Sequence, residues 1–529
     1  MHVNCLPDDI LVLVLRAALP AIKTRAADVK DGLELLSVCR RWREVALPVV
    51  YDTVFISGGT QSSSPDNAVA CLDIKTMADL VAGARCLHVV RRMVIHVFYQ
   101  DDAFPELKAV IAKLCGVADE WKGVRQLELN VIPAGWNPNR RRPLVADHED
   151  DIDSVSSAFA ALMPGLRGIK IADAMQTQVT SELFGRLIGY YVDQLEVLHS
   201  SHALAAPQDR VFGKLKDVKI DAIRSAALYF QPPRLCPEVI ESLSLRRLTA
   251  NEMWSMFCAG LDEHAITFSR LANLCLEYCP GYMMMREPLS VERPWALQFS
   301  AAKRVRVICE EDKCPSMENA LFPPCVELLN IQSGLGILRA MANAKVQVSQ
   351  GLVLHARNSP EHNVYLETIS GIFEAAGPCR LTKLYLVNRG AVSLERFTYT
   401  GLTHLRLHGP ASVDDVMGYI CTQPRLVSLH VDHPTPTDPQ MDFSIPACVE
   451  HDPVAPLDTQ LREFTINILK DLETAGPAIS MLKYLLLKTP TLRSLVPQGA
   501  PDQLFQCFVD EYTRWYPHMA SLTILGSAR

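Results

Sequence analysis

A length of 529 residues with 49% hydrophobic and 21% charged content allows a large buried core and excludes disorder as the general state of the chain. The net charge of -7 gives no basis for a phosphate-binding surface, so no nucleic-acid partner is expected. The sixteen cysteines fall far below the roughly 8 to 10% that marks disulfide scaffolds, which predicts a reduced protein in the cytoplasm, the nucleus or both.

The first predicted element is a helix near the N-terminus. Pro7 suits a first-turn position, and Asp8 and Asp9 favour the positive end of the helix dipole. The apolar period continues to about Leu19, and Pro20 then ends the helix. A secretory signal would carry positive charge where the two aspartates stand, and the apolar run is too short to cross a bilayer. We therefore expect no signal peptide and no membrane partner.

A second apolar segment, residues 33–39, is followed by a basic run that contains Trp42. The residues that carry a family pattern are Leu6, Pro7, Ile10, Val14, Leu15, the run Leu36-Ser37-Val38-Cys39-Arg40-Arg41-Trp42-Arg43 and the run Ala46-Leu47-Pro48. This pattern resembles an F-box. The resemblance implies three helices that bind a Skp-type adaptor in a cullin-type ubiquitin ligase, with catalysis left to the partners.

The resemblance also implies roles for single residues. Those expected to contact the adaptor are Leu6, Pro7, Ile10, Val38, Cys39 and Trp42. Those expected to pack the helices together are Val14, Leu15 and Leu36. The connection over residues 20–32 is longer than the family pattern has. The alternative is a helical cap that only closes the N-terminal end of a repeat array.

A stretch rich in glycine and serine, residues 57–65, lacks an apolar period and predicts a flexible connection. We accordingly assign residues 1–56 to an F-box-like helical domain, residues 57–85 to a linker and entry segment, and residues 86–529 to a repeat array.

Short runs of the form Leu-x-x-Leu-x-Leu recur through this array at irregular separations. The clearest begin at Val124, Leu166, Val192, Leu215, Ile240, Leu271, Val326, Leu381, Leu402, Leu426, Leu461 and Met519, and weaker ones begin at Val90, Ala302 and Leu492. Each run predicts a short strand that buries its leucines and turns the intervening residues to the opposite face. The array resembles the leucine-rich-repeat family, which implies an irregular α/β repeat solenoid with its strands on the concave side.

The segments between the runs are predicted to be helical or looped. Residues 413–420 carry apolar side chains at helical spacing and should form a helix on the convex side. Residues 138–153, where a basic block precedes an acidic one, and the proline-rich residues 432–456 are predicted to be solvent-facing loops.

The phase of the predicted strands selects a set of polar residues on the concave face. The candidate target-contacting residues are Arg304, Arg306, Lys383, Tyr385, His404, Arg406, His408 and His430, with Asp432 expected beside His408. Arginine and tyrosine often carry interface energy, because they offer large contact area and directional donors. The alternative is that these polar residues only keep an exposed face soluble.

No metal site is predicted on this face. His404 and His408 share a face of one strand, but Arg406 between them would oppose a dication, and two alternate positions of a strand are too far apart to share one small ion. The sequence also lacks a phosphate-cradling glycine loop, a nucleophile elbow and a metal-binding helix motif. We expect a protein that is not an enzyme and holds no cofactor.

These expectations combine into one hypothesis about function. The chain would be a substrate-recognition subunit of a cullin-type ubiquitin ligase, whose F-box binds a Skp-type adaptor and whose repeats bind a target protein for ubiquitin-dependent degradation. The alternative is a leucine-rich-repeat scaffold that binds a partner protein and has no ligase role.

Overall fold

The computed structural model divides into two compact units, Met1–Glu263 and His264–Arg529. The residues whose structure is described are 7–18, 39–59, 87–99, 103–118, 120–133, 149–173, 178–201, 204–221, 231–248, 256–257, 265–278, 296–308, 321–332, 346–355, 382–387, 401–408, 411–432, 434–435, 460–467, 489, 491–498 and 523–524. The two units are called unit 1 and unit 2 below, and each is described by itself.

Unit 1 begins with two helices that pack against each other, α1 (Asp8–Ala18) and α2 (Arg40–Val50). Leu11 and Leu15 of α1 are fully buried or nearly so, as is Ala46 of α2. The first helix starts and ends close to its predicted bounds. The segment predicted to be the middle helix, residues 33–38, lies outside the described residues.

A parallel sheet follows in unit 1, and its strands pair in the order in which they occur along the chain. The strands are β1 (Thr53–Gly59), β2 (Arg92–Tyr99), β3 (Gln126–Pro133), β4 (Gly168–Asp173), β5 (Val197–Ser200), β7 (Asp217–Asp221) and β9 (Ser242–Leu248), with a separate short pair β6 (Val211–Phe212) and β8 (Arg234–Leu235). Alternate residues such as Leu127, Leu129, Val218 and Ile220 are buried, as the period of two requires.

Helices connect the first strands of this sheet. They are α3 (Ala103–Val117), which packs on β1 and β2, then α4 (Glu149–Leu162), and α5 (Gln178–Tyr190), which packs on α4. In α4 the buried residues Ile152, Val155 and Phe159 recur every three or four positions, so one stripe of the helix faces the core.

Unit 2 repeats this plan, and its strands also pair in parallel in chain order. Its strands are β11 (Asn273–Tyr278), β13 (Arg304–Ile308), β14 (Cys325–Gln332), β15 (Gln347–His355), β16 (Lys383–Val387), β17 (His404–His408), β19 (Ser428–Asp432), β21 (Glu463–Asn467), β22 (Ser494–Gln498) and β23 (Thr523–Ile524). Parallel strands in chain order with intervening connections are consistent with a solenoid-like α/β repeat in each unit.

Smaller elements form a second layer of pairing in unit 2. They are β10 (Ala265–Thr267) with β12 (Ala296–Gln298), and β18 (Ala411–Ser412) with β20 (Pro434–Thr435), together with the helix α6 (Val413–Thr422). The predicted helix at 413–420 is thus confirmed. Next to β12, the rings of Phe268, Phe299 and Phe322 stack with centroids 5.2 and 5.5 Å apart, which ties successive repeats together.

The sheets contain two strands that the Leu-x-x-Leu-x-Leu pattern missed. One is β1, so the sheet of unit 1 begins at Thr53, and residues 57–59 of the predicted linker end a strand that pairs with β2. The other is β15. The run predicted to begin at Val192 begins three residues later, at Leu195. Leu195 and Leu198 are the buried residues at the first two leucine positions of the pattern.

The loop predicted over residues 138–153 is wrong for its last part, since α4 begins at Glu149. Its acidic residues Glu149, Asp150 and Asp151 occupy the first turn, where negative charge stabilises a helix. Residues 138–148 and most of 432–456 lie outside the described part of the chain. Within the described residues, none of the helices combines the length and apolar character needed to cross a membrane.

Candidate protein-binding surfaces

Helix α1 exposes a stripe of apolar side chains. Ile10 is 39% exposed, Leu13 59% and Val14 43%, and Pro7 at the start of the helix is exposed as well. These positions are three or four residues apart, so their side chains are neighbours on one side of the helix. We call Pro7, Ile10, Leu13 and Val14 the α1 stripe.

The two N-terminal helices are joined by a polar contact as well as by apolar packing. Arg41 of α2 donates to Asp8 Oδ1 over 2.6 Å, and Arg40 and Glu44 form an ion pair of 2.9 Å within α2. Both pairs are exposed, so each contributes little to stability. Burial of Leu11 and Leu15 supplies the main attraction between the helices.

Two of the residues expected to contact an adaptor, Pro7 and Ile10, belong to the α1 stripe. Cys39 and Trp42 are half-buried at the start of α2, where the Cys39 thiol caps the helix by accepting from the Trp42 amide at 3.4 Å. Leu6 and Val38 lie outside the described residues, and so does Leu36, which was expected to pack the helices.

The packing role expected for Leu15 is confirmed, but the same role for Val14 is wrong. Val14 is 43% exposed, although Leu11, three residues before it, is fully buried. The buried side of α1 is therefore centred on Leu11 and Leu15 and does not extend to Val14. Leu13 is the residue of the stripe that the sequence pattern did not single out.

In unit 2, all eight residues predicted to contact a target lie at alternate strand positions on one face of the sheet, called the unit 2 face. The intervening residues, among them Val305, Leu384, Leu405 and Leu429, are buried on the other side. The registers pair Lys383 with His404, Tyr385 with Arg406, and Arg406 with His430.

The structure groups these eight residues into two parts. The first is formed on β16, β17 and β19 by Lys383, Tyr385, His404, Arg406, His408 and His430. The second is formed on β13 by Arg304 and Arg306. Strands β14 and β15 lie between the two parts, which puts β13 and β16 about 14 Å apart at the usual strand spacing. The eight residues are therefore not one contiguous cluster.

The cations of the unit 2 face are uncompensated. The side chains of Arg304, Arg306, Lys383 and Arg406 make no hydrogen bond or ion pair to another residue that the structure describes. The Nε atom of Arg306 is buried without a hydrogen-bond partner, and so is the Oδ1 atom of Asn330, which stands opposite it on β14. Unsatisfied buried polar atoms cost free energy, so these two atoms lower the stability of this part of the sheet.

The histidines complete this surface. Burial lowers the pKa of His404, and the positive charge of Lys383 lowers it further, against an opposing effect of Glu463. His404 Nδ1 lies 2.8 Å from Thr403 Oγ1, and the rings of His408 and His430 are 5.2 Å apart. Among the described residues, no group of three or more His, Cys, Asp or Glu side chains is placed to hold a metal ion.

The corresponding face of unit 1 carries polar residues that sequence reasoning did not select. Arg92 of β2 binds the Glu128 carboxylate on β3, and His199 Nε2 donates to Asp217 Oδ2 over 2.9 Å. Asp221 accepts from Arg247 over 2.6 Å. The strand phase that selected the unit 2 residues would have found these too, except Arg247, which falls at the other phase of β9.

Several charges of this unit 1 face are matched within the protein. Burial alone would raise the pKa of Glu128, but the hydrogen bond and charge of Arg92, with Asn130 and Lys170, bring it below the ordinary value. The hydrogen bond from His199 likewise holds the pKa of Asp217 below its usual range, although burial opposes it. Unit 1 therefore pairs the arginines and the histidine of its face with carboxylates, whereas the arginines and the lysine of the unit 2 face pair with none of the described carboxylates.

No protein-family model matches this chain, and no curated protein sequence matches it either.

Proposed function

We propose that the protein is a substrate-recognition subunit of a cullin-type ubiquitin ligase, in which the N-terminal helices bind a Skp-type adaptor and the parallel sheets bind a target protein. On this proposal the helices are an F-box of three helices, and the two units are irregular leucine-rich repeats. The observation that carries the proposal is the α1 stripe.

An exposed apolar stripe on a short helix needs an explanation. Leu13 and Val14 leave large apolar surfaces in water next to Ile10, although the same helix buries Leu11 and Leu15 completely. Clustered exposed apolar residues mark interaction sites, and an apolar helix side commonly docks against a partner. A helical cap that only closed the end of the sheet would have no use for a second apolar side.

The sheet supports the other half of the proposal. Its alternate residues form a long row of exposed side chains on parallel strands, which is a suitable surface for holding a protein segment. Linking a target-binding surface to an adaptor-binding helix raises the effective concentration of the target near the ligase. The protein would then promote ubiquitin transfer by positioning, with no chemistry of its own.

The test is a pull-down of a purified Skp-type adaptor by the full chain. The informative variant combines Ile10→Gln, Leu13→Gln and Val14→Gln, since all three residues are exposed and glutamine keeps the helix. The matched control is Leu321→Gln, which removes another large apolar side chain that is 53% exposed. Circular dichroism of both variants checks that they fold.

We expect the parent and the Leu321→Gln control to bind the adaptor and the folded triple variant to lose binding. A parent that does not bind would sink the ligase proposal and leave the scaffold alternative. Equal binding by the parent and the triple variant would show that the adaptor contacts some other surface.

A further inference from the structure

The unit 2 face has two cationic ends, and the middle between them carries Leu328 and Val353 beside the polar Asn330. At one end are Arg304 and Arg306 on β13, and at the other are Lys383 on β16 and Arg406 on β17. Between them, on β14 and β15, Leu328 is 37% exposed. This alternation of charge and apolar surface runs across the strands.

The middle of the unit 2 face is uneven, because a leucine side chain on one strand lies over a glycine on the next. Gly351 lies opposite Leu328 in the register, and a Cβ atom at position 351 would come within 2.8 Å of Leu328 Cδ2. The leucine side chain thus lies over the glycine, and Val353 beside it is half-buried. A partner's apolar side chain can rest on this patch and remove Leu328 from water.

The dimensions fit a short extended peptide. From Arg306 to Arg406 the face crosses four strand intervals, which is about 19 Å. An extended chain advances about 3.4 Å per residue, so roughly six residues span that distance. Acidic residues at the two ends of such a segment would meet the two cationic ends of the face.

We propose that the unit 2 face binds an extended acidic segment of a partner protein, with carboxylates at both ends and large apolar residues between them. This inference rests on the proposed function and names the class of target that the array takes. The free cations are its main support. A chain with a net charge of -7 carries many carboxylates, and the unit 1 face pairs its arginines with them, yet none of the described residues pairs with these four cations. Acidic side chains do stand near the limits of the face, Glu277 on β11 and Glu463 on β21, and they restrict the cationic region to the strands between.

The probe is the fluorescein-labelled peptide Asp-Asp-Gly-Leu-Val-Leu-Gly-Asp-Asp, titrated with the full chain and followed by fluorescence anisotropy. Its Asn-substituted form removes the charge, and a form with Gly-Gly-Gly in place of Leu-Val-Leu removes the apolar centre. A labelled nine-nucleotide single-stranded RNA tests whether the face selects negative charge alone.

The variants use residues that lie on the surface. Lys383→Glu with Arg406→Glu reverses one cationic end, and Leu328→Ser removes the apolar contact. The matched control is Lys219→Glu, which changes an exposed lysine on a strand of unit 1.

We expect the double charge reversal to weaken binding of the acidic peptide at least tenfold and Lys219→Glu to leave it within twofold of the parent. Leu328→Ser should weaken binding of the Leu-Val-Leu peptide about threefold or more and leave binding of the Gly-Gly-Gly peptide unchanged. An acidic peptide that fails to bind, that binds the charge-reversed protein equally, or that is matched by the RNA would overturn the inference.

The adaptor pull-down separates this result from the proposed function. A charge-reversed protein that has lost the peptide should still bind the adaptor. Adaptor binding without any peptide binding by the parent refutes the inference alone, whereas peptide binding without adaptor binding refutes the ligase proposal alone.

Discussion

Replacing Gly185 by alanine should destabilise unit 1, although alanine is the better helix former. Gly185 is buried in α5, and a Cβ atom there would overlap the carbonyl carbon and oxygen of Ala205 and lie 3.1 Å from its Cα. The obstacle is backbone, so a side-chain rotation cannot relieve it. The amide of Ala205 also donates to the Ser181 carbonyl of the same helix over 3.2 Å, which holds the crossing segment in place.

The size of the effect follows from three contributions. Overpacking a tight site costs about 1 to 3 kcal/mol. Pulling Ala205 away from the helix also breaks its hydrogen bond to Ser181, at about 1 kcal/mol. The helix propensity of alanine over glycine returns about 1 kcal/mol. The net loss is therefore about 1 to 3 kcal/mol of local stability.

Gly116 is the matched control, because it lies in α3 of the same unit and a Cβ atom there would meet nothing within 4 Å. Gly116→Ala should stabilise its helix by about 0.5 to 1 kcal/mol. Hydrogen exchange of the amides of α5 measures the local stability directly, and a loss of 1.4 kcal/mol appears as about a tenfold fall in protection. Unchanged or increased protection of α5 in Gly185→Ala would refute the reasoning.

Three further outcomes follow from single side chains. Glu128→Gln should lower the stability of unit 1 by up to about 1 kcal/mol at pH 7, because it removes the partly exposed ion pair with Arg92. A carboxyl whose folded pKa is lowered stabilises the fold fully above its ordinary pKa of 4.5. The difference between the two proteins in urea unfolding should therefore shrink as the pH falls below 4.5 and through the lower folded pKa, and a constant difference would contradict this reading. Phe299→Ala should cost about 3 to 5 kcal/mol, since Phe299 is 1% exposed and stacks on Phe268, and hydrogen exchange in unit 2 would measure the loss. His404 has a lowered pKa that a bound carboxylate would raise, so the acidic peptide should bind several times more tightly at pH 6 than at pH 7.5, and His404→Gln should reduce that rise in the anisotropy titration.

The sequence predicted most of the strands because each needs only a local period. The three weaker runs, which begin at Val90, Ala302 and Leu492, also lead into strands. Strand β15 escaped because its apolar positions are Val348 and Leu352, with three residues between them instead of two. The register with β14 shifts at this point, which is the mark of a β-bulge, and a bulge adds one residue to the pattern.

The face of a helix could not be chosen from the sequence in the same way. In α1 apolar residues occur all round, and the pattern does not say whether Val14 or Leu11 meets the neighbouring helix. The tertiary structure settles the question, since Leu11 and Leu15 are buried and Val14 is exposed. Which charges pair is equally non-local, because Arg92 and Glu128 are 36 residues apart and become neighbours only through the register of β2 and β3.

The difference between the two polar faces bears on whether the strand residues of unit 2 serve only solubility. A face that serves only solubility gains nothing from charges of one sign, because mixed or paired charges keep it soluble without repelling one another. Unit 1 has that arrangement, with Arg92 matched to Glu128 and His199 to Asp217. On the unit 2 face the described arginine and lysine side chains pair with none of the described carboxylates. Burial lowers the pKa of His404 there, and the charge of Lys383 lowers it further, against the opposing effect of Glu463. The carboxylates of an acidic partner would pair with these cations on binding. That favourable interaction would be absent if the face served only solubility.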